Sequence, residues 1–261
     1  MRLRIAPWKN RMIVKRLVIL ANSIKNQKRC VAGREVWYSP ASGHRLGAWV
    51  RPVGEVGKGE LALEHSAMPD GSQPAVLDII EVPLLEHAGD LTQPENWRLC
   101  PVRAWKKITS VPPVPLAILQ ERPNDLWHDW SQSTDRIAAE KVAAVGPSES
   151  LFLIRPRHFR LVASTKGEGP KGEPREHRRR RAVFEYGRSR YNLAVTDPTV
   201  DARYFTPFPT VRERVRKVSL PCGDECLLCV SRTPVFDDGN HYKIVATVID
   251  AAGALGSESG S

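Results

Sequence analysis

RLVILANSIKNQKRCVAGR, residues Arg16 to Arg34, begins with an uninterrupted apolar run, Leu17 to Ala21, and turns polar and cationic at Asn22. The run is far too short to span a membrane, so it reads as a buried strand that delivers a loop to the surface. Ala32 and Gly33 are small enough to let the backbone turn before a second strand starts near Glu35. On this reading Asn22, Ser23, Lys25, Lys28, Arg29 and Arg34 form a loop rich in amide, ammonium and guanidinium groups, suited to an anion. The alternative is an exposed connection whose polar groups cap strand ends and whose charges are solvated.

Charge extends this reading outward. The chain of 261 residues carries a formal charge of +10, with 41% apolar and 26% charged residues, the composition of a globular protein. Residues 1 to 34 contain ten Lys and Arg and no acid, and residues 155 to 190 contain twelve against four Glu. The remainder is net acidic. Such segregation makes a directional field that favours a polyanionic partner, nucleic acid before an anionic membrane surface.

The five cysteines are an odd number in a chain long enough to need no staples, and Lys15 and Arg16 interrupt the apolar run near the start as no secretory signal would. A cytoplasmic location is the expectation. Residues 1 to 12 read as a basic extension outside the fold, and residues 251 to 261 as a disordered tail.

Between these ends the pattern is of short strands punctuated by Gly and Pro. Glu35 to Tyr38, Ala48 to Val53 and the segment from Pro74 to Glu86 read as strands, separated by a turn over Ser39 to Gly47 and a polar loop over Gly54 to Pro74. Residues 88 to 105 read as an irregular closing segment. This grammar suggests a small closed β-barrel for residues 13 to 110. VPPVP, residues 111 to 115, is a stiff break. After it, Ser133 is placed to cap a helix from Thr134 to Val145 that Gly146 and Pro147 stop, so residues 111 to 147 read as a linker with a bridging helix. Residues 148 to 250 repeat the strand grammar, with Thr165 to Arg181 as a long mobile loop and Ala182 to Tyr186 and Arg190 to Thr196 as a hairpin around Gly187. VRERVRKVSL, residues 211 to 220, fits helix slightly better than strand. CLLCVS and HYKIVATVI form the final hairpin.

RLVILANSIKNQKRCVAGREV, AWVRPV, VLDIIEVPLLE, DLTQPENWRL, YNLAVTDP, LLCVS and HYKIVATVI, in that order over residues 13 to 250, closely resemble the prokaryotic dual OB domain-containing proteins. The resemblance implies a mostly β protein of two tandem OB-like small β-barrels, joined by the Pro-rich break and the short helix. It also implies a general association with bacterial defence and mobile-element genes. It carries over no cofactor, activity or catalytic residue, and the run around Arg175 to Arg181 departs from the family pattern.

OB-type barrels bind single strands with a cationic groove and stacking aromatics. Arg178, Arg179, Arg180 and Arg181, with Arg188 and Arg190 beyond them, are therefore the second candidate site. Tyr186, with Phe184 and Tyr191, is the candidate base platform, against the plainer reading of these aromatics as core. Arg51 joins the cationic candidates of the first barrel. Cys222, Cys226, Cys229 and His241 have spacing suggestive of zinc, but Cys226 and Cys229 in one strand would point to opposite faces, so buried free thiols are the expectation and no metal or cofactor is expected. Asp78 with Glu81 lacks the lysine a nuclease pattern wants, and GEVGKGE lacks a P-loop ending. The expectation is a non-enzymatic nucleic-acid-binding protein. An adaptor that recruits an effector such as a nuclease or ATPase, or a small-nucleotide sensor using residues 22 to 34, are the alternatives, and the oligomeric state stays open.

Overall fold

The computed structural model describes residues 12–25, 28–39, 43–54, 59–111, 116–128, 135–166, 177–210, 215–219 and 226–250. The extension 1–11, the tail, Cys222 and Arg175 lie outside them. The chain divides into two compact units, one made of residues 1–112 with 147–149, the other of residues 113–146 and 150–261.

In the first unit β1 (Ile13–Lys25), β2 (Lys28–Ser39), β3 (Gly43–Val53), β4 (Asp78–His87) and β5 (Asn96–Leu99) follow one another, with a short helix α1 (Leu63–Ser66) between β3 and β4. Their order in the sheet is β1-β2-β3-β5-β4, and β6 (Lys106–Ser110) adds to the edge of β4. The sheet closes because β1 is long enough to pair twice. Its first half, Ile13 to Val18, runs antiparallel to β4, and Leu17 to Lys25 runs antiparallel to β2. A bulge between Ile19 and Ala21 bends the strand as it leaves one partner for the other. Among the described residues each of these five strands pairs with two others of the five, and β3 and β5 are the parallel pair. This is the five-stranded Greek-key barrel of the OB type.

The apolar run therefore is a strand, but not one that ends in a loop at Asn22. Asn22 to Lys25 continue β1, and β2 begins at Lys28 rather than near Glu35. The reason lies in pairing: Ser23 sits opposite Cys30 and Lys25 opposite Lys28, so the ladder holds polar residues in the sheet despite their composition. Gly33 is no turn residue either. It lies in β2 opposite Ile19, where a Cβ would run into the Val18 carbonyl. Leu17 and Ile19 point inward with Val31, Val50, Leu61, Ile80, Val82, Leu84, Leu99 and Trp105. Each such side chain contributes about 1.5–3 kcal/mol by leaving water. Two further segments gain order from pairing: β5 forms inside the stretch expected to be irregular, and β3 starts within the expected turn.

The second unit contains β7 (Arg136–Ala138), α2 (Ala139–Val145), β8 (Leu151–Ile154), β9 (Arg157–Lys166), β10 (His177–Tyr186), β11 (Ser189–Val195), α3 (Val200–Tyr204), β12 (Val215–Ser219), β13 (Cys226–Arg232) and β14 (Asn240–Asp250). The expected helix from Thr134 is shorter, because residues 136–138 pair with β14 first, while Ser133 and Thr134 lie outside the described residues. The sheet order is β12-β9-β10-β11-β14-β13-β8, with β11 and β14 parallel and the other neighbours on this path antiparallel. It follows that β12 and β13 run in the same direction. Together they take the place that β4 holds in the first unit, so both units share one strand order.

Residues 215–219 are thus a strand, not the preferred helix. Valines at this spacing satisfy either period, and antiparallel pairing with β9 decides it. The core of this unit joins Leu161, Ala163, Ala182, Phe184, Tyr191 and Leu193 to Leu228, Val230, Val245 and Val248, with Val142 of α2 packed among them. Gly187 takes a φ of +58° in the two-residue turn between β10 and β11, a conformation its missing Cβ permits.

Candidate nucleic-acid interface

His177 to Arg181 were expected in a mobile loop, yet they open β10 and pair with β9, Arg178 opposite Thr165 and Arg181 opposite Val162. Strand alternation then splits the arginine run in two. Arg178 and Arg180 turn toward the side of α3. Their guanidinium groups lie 4.9 and 5.4 Å from the Phe208 ring centre. Arg180 also grips Asp201 in a bidentate pair, Nε donating to Oδ1 at 2.5 Å and Nη2 to Oδ2. Asp201 raises the Arg180 pKa further above its ordinary value, chiefly through this hydrogen bond. Arg180 is a structural tie more than a free cation.

Arg179 and Arg181 face the other way. Residues directly opposite each other in an antiparallel ladder share a face, and the pairing places Lys217, Val162, Arg181 and Ala194 in one row across β12, β9, β10 and β11. The next row on that face holds Ser219, Arg160, Val183 and Asn192. Arg179 extends the face at one end, and Arg190 opposite Glu185 at the other. The opposite face of the same strands carries the core residues Leu161, Ala163, Ala182, Phe184 and Leu193. The outward face is therefore basic: Arg160, Arg179, Arg181, Arg190 and Lys217 against Glu185, on a floor of Val162, Val183 and Ala194. Arg181 is held in place by Asp135 at 2.8 Å and by Asn192 Oδ1 at 2.9 Å. Arg179, Arg190 and Lys217 are exposed, as is Arg188 in the turn. Strand spacing makes this face about 15 Å wide.

No Phe, Tyr or Trp side chain lies among the described residues of that face, although the exposed imidazole of His158 lies 3.9 Å from Glu185. Phe184 and Tyr191 stack on each other in the core, ring centres 5.2 Å apart, and are buried. Tyr186 packs against the same core and donates its hydroxyl to the Pro123 carbonyl at 2.7 Å. Burial raises its pKa above the usual tyrosine value. The base platform expected here is a core feature, since these three residues alternate inward with Ala182 and Leu193.

The first unit's candidates are more enclosed than a loop would be. Asn22 and Ser23 are buried, and Asn22 Nδ2 donates to the Pro74 carbonyl at 2.5 Å. Arg29 reaches Asn22 Oδ1 at 3.4 Å while its backbone bridges Leu61. Arg34 donates from Nε to the Gly47 carbonyl at 2.8 Å. Lys28 is exposed, and the side chain of Lys25 lies outside the described residues. Arg51 is not a surface cation: it is buried in β3 and paired with Glu95 at 2.8 Å. Burial of this guanidinium requires a partner acid, and the turn before β5 brings one.

Two other candidate groups resolve simply. Cys226 and Cys229 are buried in β13, and His241 Nδ1 lies 2.7 Å from the Thr233 carbonyl. Asp78 accepts from Ala75 N at 2.9 Å and Ser110 Oγ at 2.8 Å and pairs with Lys107 at 2.7 Å, fixing the entry to β4. Glu81 is paired with Arg16 at 2.8 Å, and that hydrogen bond lowers its pKa.

Arg160 and Lys217 were missed because their faces depend on cross-strand register. Lys217 sat in a segment leaning toward helix. Trp37 was also passed over, although it is about half exposed on β2. No helix among the described residues is long and apolar enough to cross a membrane. A comparison with curated proteins gives no match. A family model, by contrast, covers both barrels: that of the Dual OB-containing domain matches residues 15–248, nearly the whole chain and the same span as the two sheets. The chain belongs to the Dual OB-containing domain family.

Proposed function

We propose that this protein binds nucleic acid without acting on it chemically, in the cytoplasm, with single-stranded or unusually structured nucleic acid as its ligand and bacterial defence or mobile-element control as its setting. The observation that carries the reading is the basic outward face of β12, β9, β10 and β11, where Arg160, Arg179, Arg181, Arg190 and Lys217 stand against Glu185 and the Asp135 that pairs with Arg181. Cations in five positions on one rigid sheet do more than keep a surface soluble, since mutual repulsion opposes gathering them there. A polyanion relieves that repulsion and releases its own counterions. A non-enzymatic role is supported by the carboxylates Asp78 and Glu81, which are engaged in ion pairs and hydrogen bonds of the fold.

The test is the salt dependence of binding. With roughly four phosphates engaged, the logarithm of affinity for a single strand falls with the logarithm of salt at a slope of about −3. Replacing Arg179, Arg190 and Lys217 together with Ala makes that slope shallower by about 2. Affinity that ignores salt, or that survives the triple replacement unchanged, overturns the proposal.

A further inference from the structure

We infer that Trp37 is a stacking platform for an unpaired nucleobase, a site in the first unit that rests on the nucleic-acid reading and assigns it a ligand feature the basic face of the second unit does not supply. Large aromatic side chains are ordinarily buried for the water they release. Trp37 is 48% exposed, whereas the other Phe, Tyr and Trp side chains whose burial is described are buried or half-buried. Its position is nonetheless defined. The six-membered part of its ring occupies the space where a Cβ at Gly47 would be, and a Cβ there would also lie 3.3 Å from the Glu35 Cβ. Gly47, through its bare backbone, lets the indole lie down against β3 and leaves the remainder of the ring to solvent.

The surroundings select the occupant. Arg45 stands directly opposite Trp37 in the β2–β3 ladder and is exposed, so a cation flanks the ring on the same face. Glu35, two residues before Trp37 on β2, is paired with Lys15 at 2.8 Å. That carboxylate is thereby neutralised and offers little repulsion to an anion. Lys15 in turn sits 4.3 Å from the centre of the Trp97 ring. An apolar protein segment would gain little here, because charged groups border the exposed ring. A nucleotide matches both parts: its base covers the indole, and its phosphate lies against Arg45. Any base has a π-face, so the site accepts each of the four and discriminates against bases already stacked in a duplex.

The experiment uses the full chain and fluorescence anisotropy with two labelled probes at one salt concentration: an oligothymidine and an abasic strand of the same length. The expected result for the unaltered protein is tighter binding of the base-bearing strand, by about five- to hundredfold. Trp37→Ala removes this preference, and Trp37→Phe, which keeps a ring, retains most of it. Arg45→Ala weakens both probes equally. The platform is overturned if the unaltered protein and Trp37→Ala show the same ratio between probes. If the unaltered protein binds neither probe, the nucleic-acid reading falls and the platform with it; if it binds both equally with a steep salt dependence, only the platform falls.

Discussion

Asn22, Arg51 and Tyr186 show how a polar side chain changes its meaning with one neighbour. Asn22 would be a surface amide were Pro74 not held against it, and instead its amide satisfies a carbonyl that the sheet does not. Arg51 is buried with Glu95, and removing one member of such a pair leaves a stranded charge. Arg51→Ala is therefore expected to cost about 3 kcal/mol, read as a lower urea midpoint, with no change in affinity for nucleic acid. Lost affinity at unchanged stability would show the opposite. Tyr186 carries a pH signature. Its raised pKa, caused first by burial, means the neutral phenol is favoured in the folded protein, so its contribution is complete below the unfolded value near 10 and declines as pH rises through the higher folded value. Above about pH 10 the melting temperature of the unaltered protein should fall more steeply than that of Tyr186→Phe. Parallel pH profiles would contradict this.

The strand β10 is where a single run of sequence is divided between two faces. Adjacent arginines differ only in parity, yet Arg180 ties the sheet to α3 through Asp201 while Arg179 faces solvent. Arg180→Ala is expected to cost about 1 kcal/mol, a melting shift of a few degrees, and to leave the salt slope of binding unchanged. Arg179→Ala should do the reverse, leaving stability alone and making the slope shallower by about 0.7. Calorimetry and a salt titration on both variants separate the two; identical behaviour would mean that alternation does not govern the run. β12 makes the related point. Its residues satisfy the helical period nearly as well as the strand period, and pairing with β9 settles the matter.

At the scale of the molecule, the two units share a strand order but fill the place of one strand by different means, the first with an unbroken β4 that pairs with β1, the second with β12 beside β9 and β13 beside β14. Cations concentrate on one face of the second unit, while Trp37 and Arg45 lie together in the first. Purified from its source with nucleic acid retained, the protein should show a raised ultraviolet absorbance ratio that returns to that of protein alone after high salt or nuclease. A stoichiometric protein partner that stays bound after nuclease, with no nucleic acid present beforehand, would favour the adaptor role instead.

The sequence by itself determined the class of the fold: short Gly- and Pro-bounded runs of β-branched residues and a buried opening strand favour a mostly β protein of small barrels over a sandwich or an α/β sheet. It also determined that positive charge is segregated, and the family resemblance of residues 13 to 250 is legible from their order alone. Only the tertiary structure decided which polar residues are available. Asn22 and Arg51 lost their place at the surface to Pro74 and Glu95, and Tyr186 to Pro123. Arg160 and Lys217 gained theirs because β9 and β12 lie in register with β10. The physical reason is that composition and period are local, whereas burial and facing depend on partners that reach a residue through cross-strand pairing from distant parts of the chain.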